Sequence, residues 1–202
     1  PLEGAIGVDA YARCAACCSD DRSPAVLALL DFCAASPSMC RGFILAVMDA
    51  ANFPVALRHL AAATLRDSAV SDEEGRLQYR IDRGVGQGCS AAAILFVIGL
   101  YPLLRAIDLQ LDLARHEIMS VFADDVAVTC CCVPWLLEQL PIFERFSRCA
   151  TLDLGVPKCC MIPLASGDQD VAARQVAAAL ADSPWSAFAI AEHAALIGIP
   201  IG

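Results

Sequence analysis

The fold follows from one stretch of the sequence, Ile118-Met119-Ser120-Val121-Phe122-Ala123-Asp124-Asp125-Val126-Ala127-Val128-Thr129. It contains two apolar segments, 118–122 and 126–129, which are separated only by Ala123-Asp124-Asp125. Such a short connection between strand-like segments predicts a tight β-hairpin. The hairpin would carry the two aspartates at its tip.

Working outward, Val26–Leu30 is a short, continuous apolar run that ends at Asp31 and predicts a buried strand. Leu77, Tyr79 and Ile81 alternate with polar residues, which predicts a half-exposed strand after a turn at 72–75. Further strands are predicted at 160–164, 187–190 and 196–201. One helix is predicted to begin at Ser36-Pro37, with Phe43, Ile44, Val47 and Met48 on its buried face. Further helices are predicted at 5–18, 57–66, 90–107, 134–149 and 171–181. Because helices and strands mix without strict alternation, we expect one α+β domain, a sheet covered by helices.

Composition narrows the functional classes. The chain has 202 residues, of which 58% are hydrophobic and 18% charged, so general disorder is excluded. Its net charge of −9 disfavours a free-standing, sequence-independent nucleic-acid binder, but not a nucleic-acid enzyme with an acidic metal centre. The longest apolar run, residues 91–104, is too short to span a bilayer and predicts a buried helix, so no membrane partner is expected. The first residue is Pro1, so we expect a segment of a longer product.

The twelve cysteines lie mostly inside apolar stretches, which disfavours a secreted disulfide framework. Buried free thiols are the expected state. The spacing Cys14-x-x-Cys17 leaves a zinc site as an alternative, although the sequence has no second Cys-x-x-Cys and no His-x3-His to complete the ligands.

Paired carboxylates at an apolar hairpin tip repel each other and stay ionised together only when a cation lies between them. Mg²⁺ prefers such oxygen ligands. If the strand that ends at Asp31 lies beside the hairpin, Asp31, Asp124 and Asp125 would form a site for two divalent ions, as phosphoryl transfer requires. The alternative is a solvated turn, in which aspartate is simply common.

A glycine-rich segment follows the strand at 77–81, namely Arg83-Gly84-Val85-Gly86-Gln87-Gly88. Since it precedes a predicted helix, its backbone amides could approach a phosphate or a nucleotide sugar closely. It matches neither the dinucleotide fingerprint nor the P-loop.

Taken in order, these segments resemble the palm of a reverse transcriptase of non-LTR (LINE-like) retroelements. Five motifs carry the resemblance: LLDFCAASPS at 29–38, RGVGQGCSAAAILF at 83–96, FADD at 122–125, LDLGVPKC at 152–159 and LIGIPIG at 196–202. Together they cover most of residues 25–202. RNA-dependent RNA polymerases share the palm, but usually carry Gly-Asp-Asp and a different glycine loop.

The resemblance implies an RNA-directed DNA polymerase that transfers a nucleotidyl group from a dNTP to a primer 3′-hydroxyl. Two Mg²⁺ ions, or Mn²⁺, would be held by Asp31, Asp124 and Asp125, with the Phe32 carbonyl as a further ligand. Lys158, the single lysine of the chain, would protonate the leaving pyrophosphate. The nucleotide would be contacted by Ser36, Arg83, Gln87 and Gly88.

The same resemblance implies a palm-like antiparallel sheet covered by helices, with part of the fingers, including a helical lead-in at 1–24, and no thumb. The implied partners are an RNA template, a DNA primer, dNTPs and the missing fingers and thumb of the same polypeptide. The implied location is intracellular, in the nucleus.

Ser36 stands where the family usually has an aromatic residue that blocks a ribose 2′-hydroxyl, so discrimination against ribonucleotides is in question. Two alternatives remain open: a degenerate, inactive retroelement fragment, and a non-enzymatic acidic interaction module. The second predicts no dependence on divalent ions and no convergence of Asp31 with Asp124.

Overall fold

The fold is known from a computed structural model, which describes residues 23–66, 69–86, 90–165, 168–192, 194–196 and 199–201. Almost all of the predicted lead-in at 1–24, together with the Cys14-x-x-Cys17 pair, lies outside the described residues. In chain order the elements are β1 (Val26–Leu30), α1 (Ala35–Ser38), α2 (Arg41–Ala50), α3 (Val55–Leu65), β2 (Ala69–Ser71), β3 (Leu77–Arg80), α4 (Ala92–Asp108), β4 (Ile118–Phe122), β5 (Asp125–Cys130), α5 (Val133–Glu138), α6 (Leu140–Ala150), β6 (Cys160–Pro163), α7 (Gln169–Leu180), β7 (Ala189–Ile190), β8 (Ala194–Leu196) and β9 (Ile199–Ile201).

The chain divides into two compact units, where the sequence predicted one domain. The first unit consists of Pro1–Phe32, Ala106–Ile142 and Leu154–Gly202, and the second of Cys33–Arg105 and Phe143–Asp153. Helices α4 and α6 each pass from one unit into the other.

The first unit is built on a five-stranded sheet in the order β4-β5-β1-β6-β7. The predicted hairpin is confirmed as β4 and β5, and β1 pairs antiparallel with both β5 and β6. The last pair, β6 with β7, is parallel, so the sheet is mixed rather than wholly antiparallel. The reason is the helix α7 between these strands, because such a crossover returns the chain in the same direction. An α+β architecture is therefore established.

The two faces of this sheet differ in burial. Val26, Ala28 and Leu30 lie on one face with Val126 and Val128, and all five are almost completely buried. On the other face, a buried cluster of Leu27, Ala127 and Ile162 is followed by half-buried Leu29 and Cys160. That second face therefore becomes more open toward the end of β1, where Asp31 lies.

The predicted helix at 134–149 is instead two helices, α5 and α6, separated at Gln139. Pro141 accounts for the division. A proline disfavours helical backbone in the residue before it and tolerates only the first turn of a helix. Helix α7 begins where expected because the Asp168 side chain accepts hydrogen bonds from the backbone N–H groups of Asp170 and Val171.

In the second unit the helix predicted from Ser36 is also interrupted, with α1 ending at Ser38 and α2 beginning at Arg41. Ile44 and Met48 are buried as predicted, and Phe43 packs edge-to-face against Phe146 with ring centroids 5.7 Å apart. Helix α4 approaches Met39 at Gly99, where a β-carbon would lie 2.9 Å from the Met39 sulfur. The absence of a side chain at Gly99 thus permits the contact.

Two burial predictions for the second unit are wrong. All four residues of β3 are exposed, so the strand is not half-buried. It pairs only with β2 in a two-stranded sheet, which leaves no layer to cover its apolar residues. Helix α4 is not buried all round either, because Ile94, Val97 and Tyr101 are exposed along one stripe. Among the described residues, no helix is long and apolar enough to cross a membrane.

The eight described cysteines are all free thiols, as expected. Their predicted burial is only partly correct. Cys130, Cys131 and Cys159 are buried, whereas Cys33 and Cys149 are exposed.

Candidate active site

The strand register brings Asp31 and Asp125 together. Strand β1 pairs with β5 so that Leu30, its last residue, lies opposite Val126, and extending this register by one position would place Asp31 opposite Asp125. Facing residues of an antiparallel pair project their side chains from the same face, with β-carbons about 5 Å apart. The condition set by the sequence is met, because the strand that ends at Asp31 lies beside the hairpin.

Asp124 lies in the two-residue connection between Phe122 and Asp125, which pair with each other. The other connecting residue, Ala123, has a φ of 56°. Left-handed backbone of this kind matches the twist of tight hairpins and is unusual for a residue with a β-carbon. Phe122, Ala123 and Asp124 are all exposed, so the tip projects the Asp124 carboxylate into solvent.

The carboxyl of Asp125 is affected by its surroundings and by the other two aspartates. Burial, followed by the charges of Asp124 and Asp31, raises the pKa of the Asp125 carboxyl above its ordinary value. Each cause disfavours the ionised form of Asp125. A cation beside these carboxylates would oppose each of these effects.

Lys158 lies beside the same carboxylates. Its Nζ atom is 3.8 Å from Asp31 Oδ1, and the two side chains are 69% and 42% exposed. Although the Asp31 side chain as a whole is only half-buried, its Oδ1 atom is shielded from solvent and accepts no hydrogen bond. An acceptor left in this state favours a ligand, because burying an anionic oxygen without a partner is costly.

The backbone on both sides of Asp31 is fixed by the segment that precedes Lys158. Phe32 forms an isolated antiparallel bridge with Leu154. The Gly155 N–H donates to the Asp31 carbonyl at 2.8 Å. This hydrogen bond is accepted by the Asp31 carbonyl and not by the Phe32 carbonyl. The Phe32 carbonyl is the further metal ligand that the resemblance implies.

The second unit contains the other predicted site residues. Its glycine-rich segment packs against α1, the short helix that contains Ser36. The Val85 N–H donates to the Ser36 carbonyl at 2.9 Å, and the Gly84 N–H donates to the Met39 carbonyl at 2.8 Å. The Gly84 carbonyl accepts from Arg41 Nε at 2.8 Å. Ser36 and the segment that begins at Arg83 are therefore neighbours.

Gly84 makes this docking feasible. Its φ is +73°, and a β-carbon there would lie 2.3 Å from the Pro37 α-carbon. Only glycine can adopt this positive φ and this close approach to Pro37 without strain. Arg83 is exposed beside it. The remaining two predicted nucleotide-binding residues, Gln87 and Gly88, lie outside the described residues.

The described part of the chain contains no group of three or more histidine, cysteine, aspartate or glutamate side chains placed to hold a metal ion. Asp31, Asp124 and Asp125 are close enough for their charges to interact, but they do not converge on one point. The donor chemistry, oxygen ligands with one shielded unpartnered acceptor, fits Mg²⁺ or Mn²⁺.

Sequence reasoning missed Gly155 and Cys159. The Cys159 sulfur contacts both backbone polar groups of Asp31, and nothing in the sequence distinguishes this cysteine from its neighbour Cys160. The structure could identify them only because β6 lies beside β1.

Comparison with known proteins adds no assignment: no protein-family model matches the chain, and neither does any curated protein sequence.

Proposed function

We propose that this chain is the palm-like catalytic segment of an RNA-directed DNA polymerase of the non-LTR retroelement class. The observation that supports it best is the pairing of β1 with β5, which brings the strand that ends before Asp31 beside the hairpin that carries Asp124 and Asp125. The order of the five motifs supports the same proposal. The substrates would be dNTPs, an RNA template and a DNA primer.

In this proposal Asp31, Asp124 and Asp125 hold Mg²⁺ or Mn²⁺. When bound, these ions supply activation of the primer hydroxyl and neutralisation of charge on the transferred phosphate. The raised pKa of Asp125 suits this role, because a carboxylate that is disfavoured alone has most to gain from a cation. Phe32 would add its carbonyl oxygen.

Lys158 would act as the general acid. Its Nζ atom lies 3.8 Å from Asp31 Oδ1, beside the carboxylates that would hold the metal ions. From there it would donate a hydrogen bond to the triphosphate and transfer its proton to the leaving pyrophosphate oxygen. By the resemblance to the family, contacts to the incoming nucleotide would fall to Ser36, Arg83, Gln87 and Gly88.

The test is extension of a DNA primer on an RNA template by the polypeptide that contains this chain, with and without Asp124→Asn. Because metal ligation supplies several kcal/mol of transition-state stabilisation, we expect at least a roughly hundredfold loss of incorporation. The melting temperature should hardly change, since Asp124 is exposed. Asp182→Asn, at an exposed turn of the same unit, is the matched control. Normal incorporation by Asp124→Asn at physiological Mg²⁺ would refute the proposal.

A non-enzymatic interaction module remains the second candidate. It is favoured by the exposed apolar stripe Ile94, Val97 and Tyr101 on α4. It predicts that the wild-type chain neither binds Mn²⁺ nor incorporates nucleotides. A degenerate fragment would bind Mn²⁺ at the aspartates without incorporation.

A further inference from the structure

The backbone pairing of β1 with β6 stops just before the candidate site. Leu29 lies opposite Cys160, and continuing this register would place Leu30 opposite Cys159 and Asp31 opposite Lys158. Instead the chain forms a 3-10 turn over Val156–Lys158, and β6 begins only at Cys160. The backbone N–H and carbonyl of Asp31 therefore form no strand-to-strand hydrogen bonds with β6. Backbone polar groups inside a protein need hydrogen-bond partners, so these two groups require partners from elsewhere.

Cys159 supplies those partners with its side chain. The Asp31 N–H donates to Cys159 Sγ at 3.4 Å, and the Cys159 S–H donates to the Asp31 carbonyl at 3.6 Å. The same carbonyl accepts the Gly155 N–H. Cys159 is completely buried, and its own carbonyl accepts the Ala189 N–H of β7, so the thiol is anchored in the sheet.

We propose that Cys159 is a positioning residue, whose thiol fixes the backbone of Asp31 so that the Asp31 carboxylate faces Asp125 and Lys158. This inference rests on the proposed function, because it concerns the carboxylate that would bind the metal ion. The thiol suits the position since sulfur forms hydrogen bonds at these longer distances. A hydroxyl at the same distances would be outside the range for oxygen.

Direct Mn²⁺ binding to the chain, measured by electron paramagnetic resonance, tests the inference. Loss of a group that orients a metal ligand typically weakens metal binding by 10–100-fold, so Cys159→Ala should raise the Kd by about tenfold. Cys159→Ser, which keeps a polar group near Asp31 but at a poor distance, should raise it by about threefold.

The matched control is Cys160→Ala, which removes the thiol of the next residue, the first of β6, and leaves the hydrogen bonds between Cys159 and the Asp31 backbone in place. Its Kd should stay within about twofold of the wild type, and circular dichroism at the assay temperature would verify that each variant is folded. A Kd for Cys159→Ala equal to that of Cys160→Ala would overturn the positioning role while leaving the proposed function intact.

Two other outcomes are informative. A wild-type chain that binds no Mn²⁺ would overturn the metal site itself, and with it the role of Cys159. If neither Cys159 variant folds, the thiol belongs to the core of the fold rather than to the site, and the inference is wrong.

Discussion

Replacing Asp125 by asparagine should stabilise the metal-free chain at neutral pH. Burial and the charges of Asp124 and Asp31 raise the pKa of the Asp125 carboxyl, so its ionised form costs the folded state free energy. Asparagine has almost the same shape and carries no charge. The substitution therefore removes the repulsion and changes the packing little.

The size of the effect follows from the strand register. Extending the β1–β5 register by one residue would put the β-carbons of Asp31 and Asp125 about 5 Å apart, for which we take about 6 Å between their carboxylates. Two unit charges at about 6 Å, in an effective dielectric of about 40–80 for partly exposed groups, repel by about 0.7–1.4 kcal/mol. With Asp124 as a second neighbour we expect a gain of about 1–2 kcal/mol, or about 2–8 °C in Tm for a chain of this length.

Thermal melting followed by circular dichroism, in the presence of a chelator, measures this gain against Asp182→Asn. The raised pKa means that the folded chain binds the Asp125 proton more tightly than the unfolded chain does. The penalty is therefore present above the folded pKa and disappears below the ordinary value of about 3.9. A gain equal at pH 3.5 and pH 7, or none at pH 7, would refute the repulsion. Added Mn²⁺ should raise the Tm of the wild type but not of Asp125→Asn.

Three further predictions use other parts of the chain. Lys158→Met should lower the rate of incorporation by about a hundredfold, because it removes the proposed general acid. Its Tm should change little, since an exposed ion pair contributes at most about 1 kcal/mol, and a normal rate of incorporation would exclude Lys158 as the acid. Gly84→Ala should lower the free energy of unfolding in urea by about 2 kcal/mol or more, whereas Gly86→Ala should leave it nearly unchanged, because a β-carbon at Gly86 has open space around it. Equal effects of the two substitutions would contradict the close contact between Gly84 and Pro37. Ser36→Tyr should increase the preference for deoxyribonucleotides over ribonucleotides in competition assays, and an unchanged ratio would reject a gating role for this position.

The hairpin was predictable because its signal is local. Two apolar segments flank a two-residue connection between paired positions, and the structure places the carboxylates at that turn. Asp31 was predictable as the end of a buried strand. That it faces Asp125 depends on β1 pairing beside β5, a non-local arrangement that no spacing in the sequence specifies.

The errors have local physical causes. Pro141 was a visible signal for ending one helix and starting another, yet the apolar periodicity of 134–149 continued through it. Alternation in Leu77–Arg80 predicted strand correctly and burial wrongly, because a two-stranded sheet has no second layer. The role of Cys159 arises only where a ladder stops, so it could not be read from residue type or position.

The solitary lysine of this chain gives chemists selective access to the candidate site. Lys158 is the single lysine of the sequence, it is exposed, and its amine lies 3.8 Å from Asp31. Reagents that acylate primary amines, or aldehydes trapped by borohydride, would therefore attach to only one side chain. A fluorophore placed there would report on ligands that arrive at the carboxylates, and an attached cross-linker would capture molecules that bind beside them.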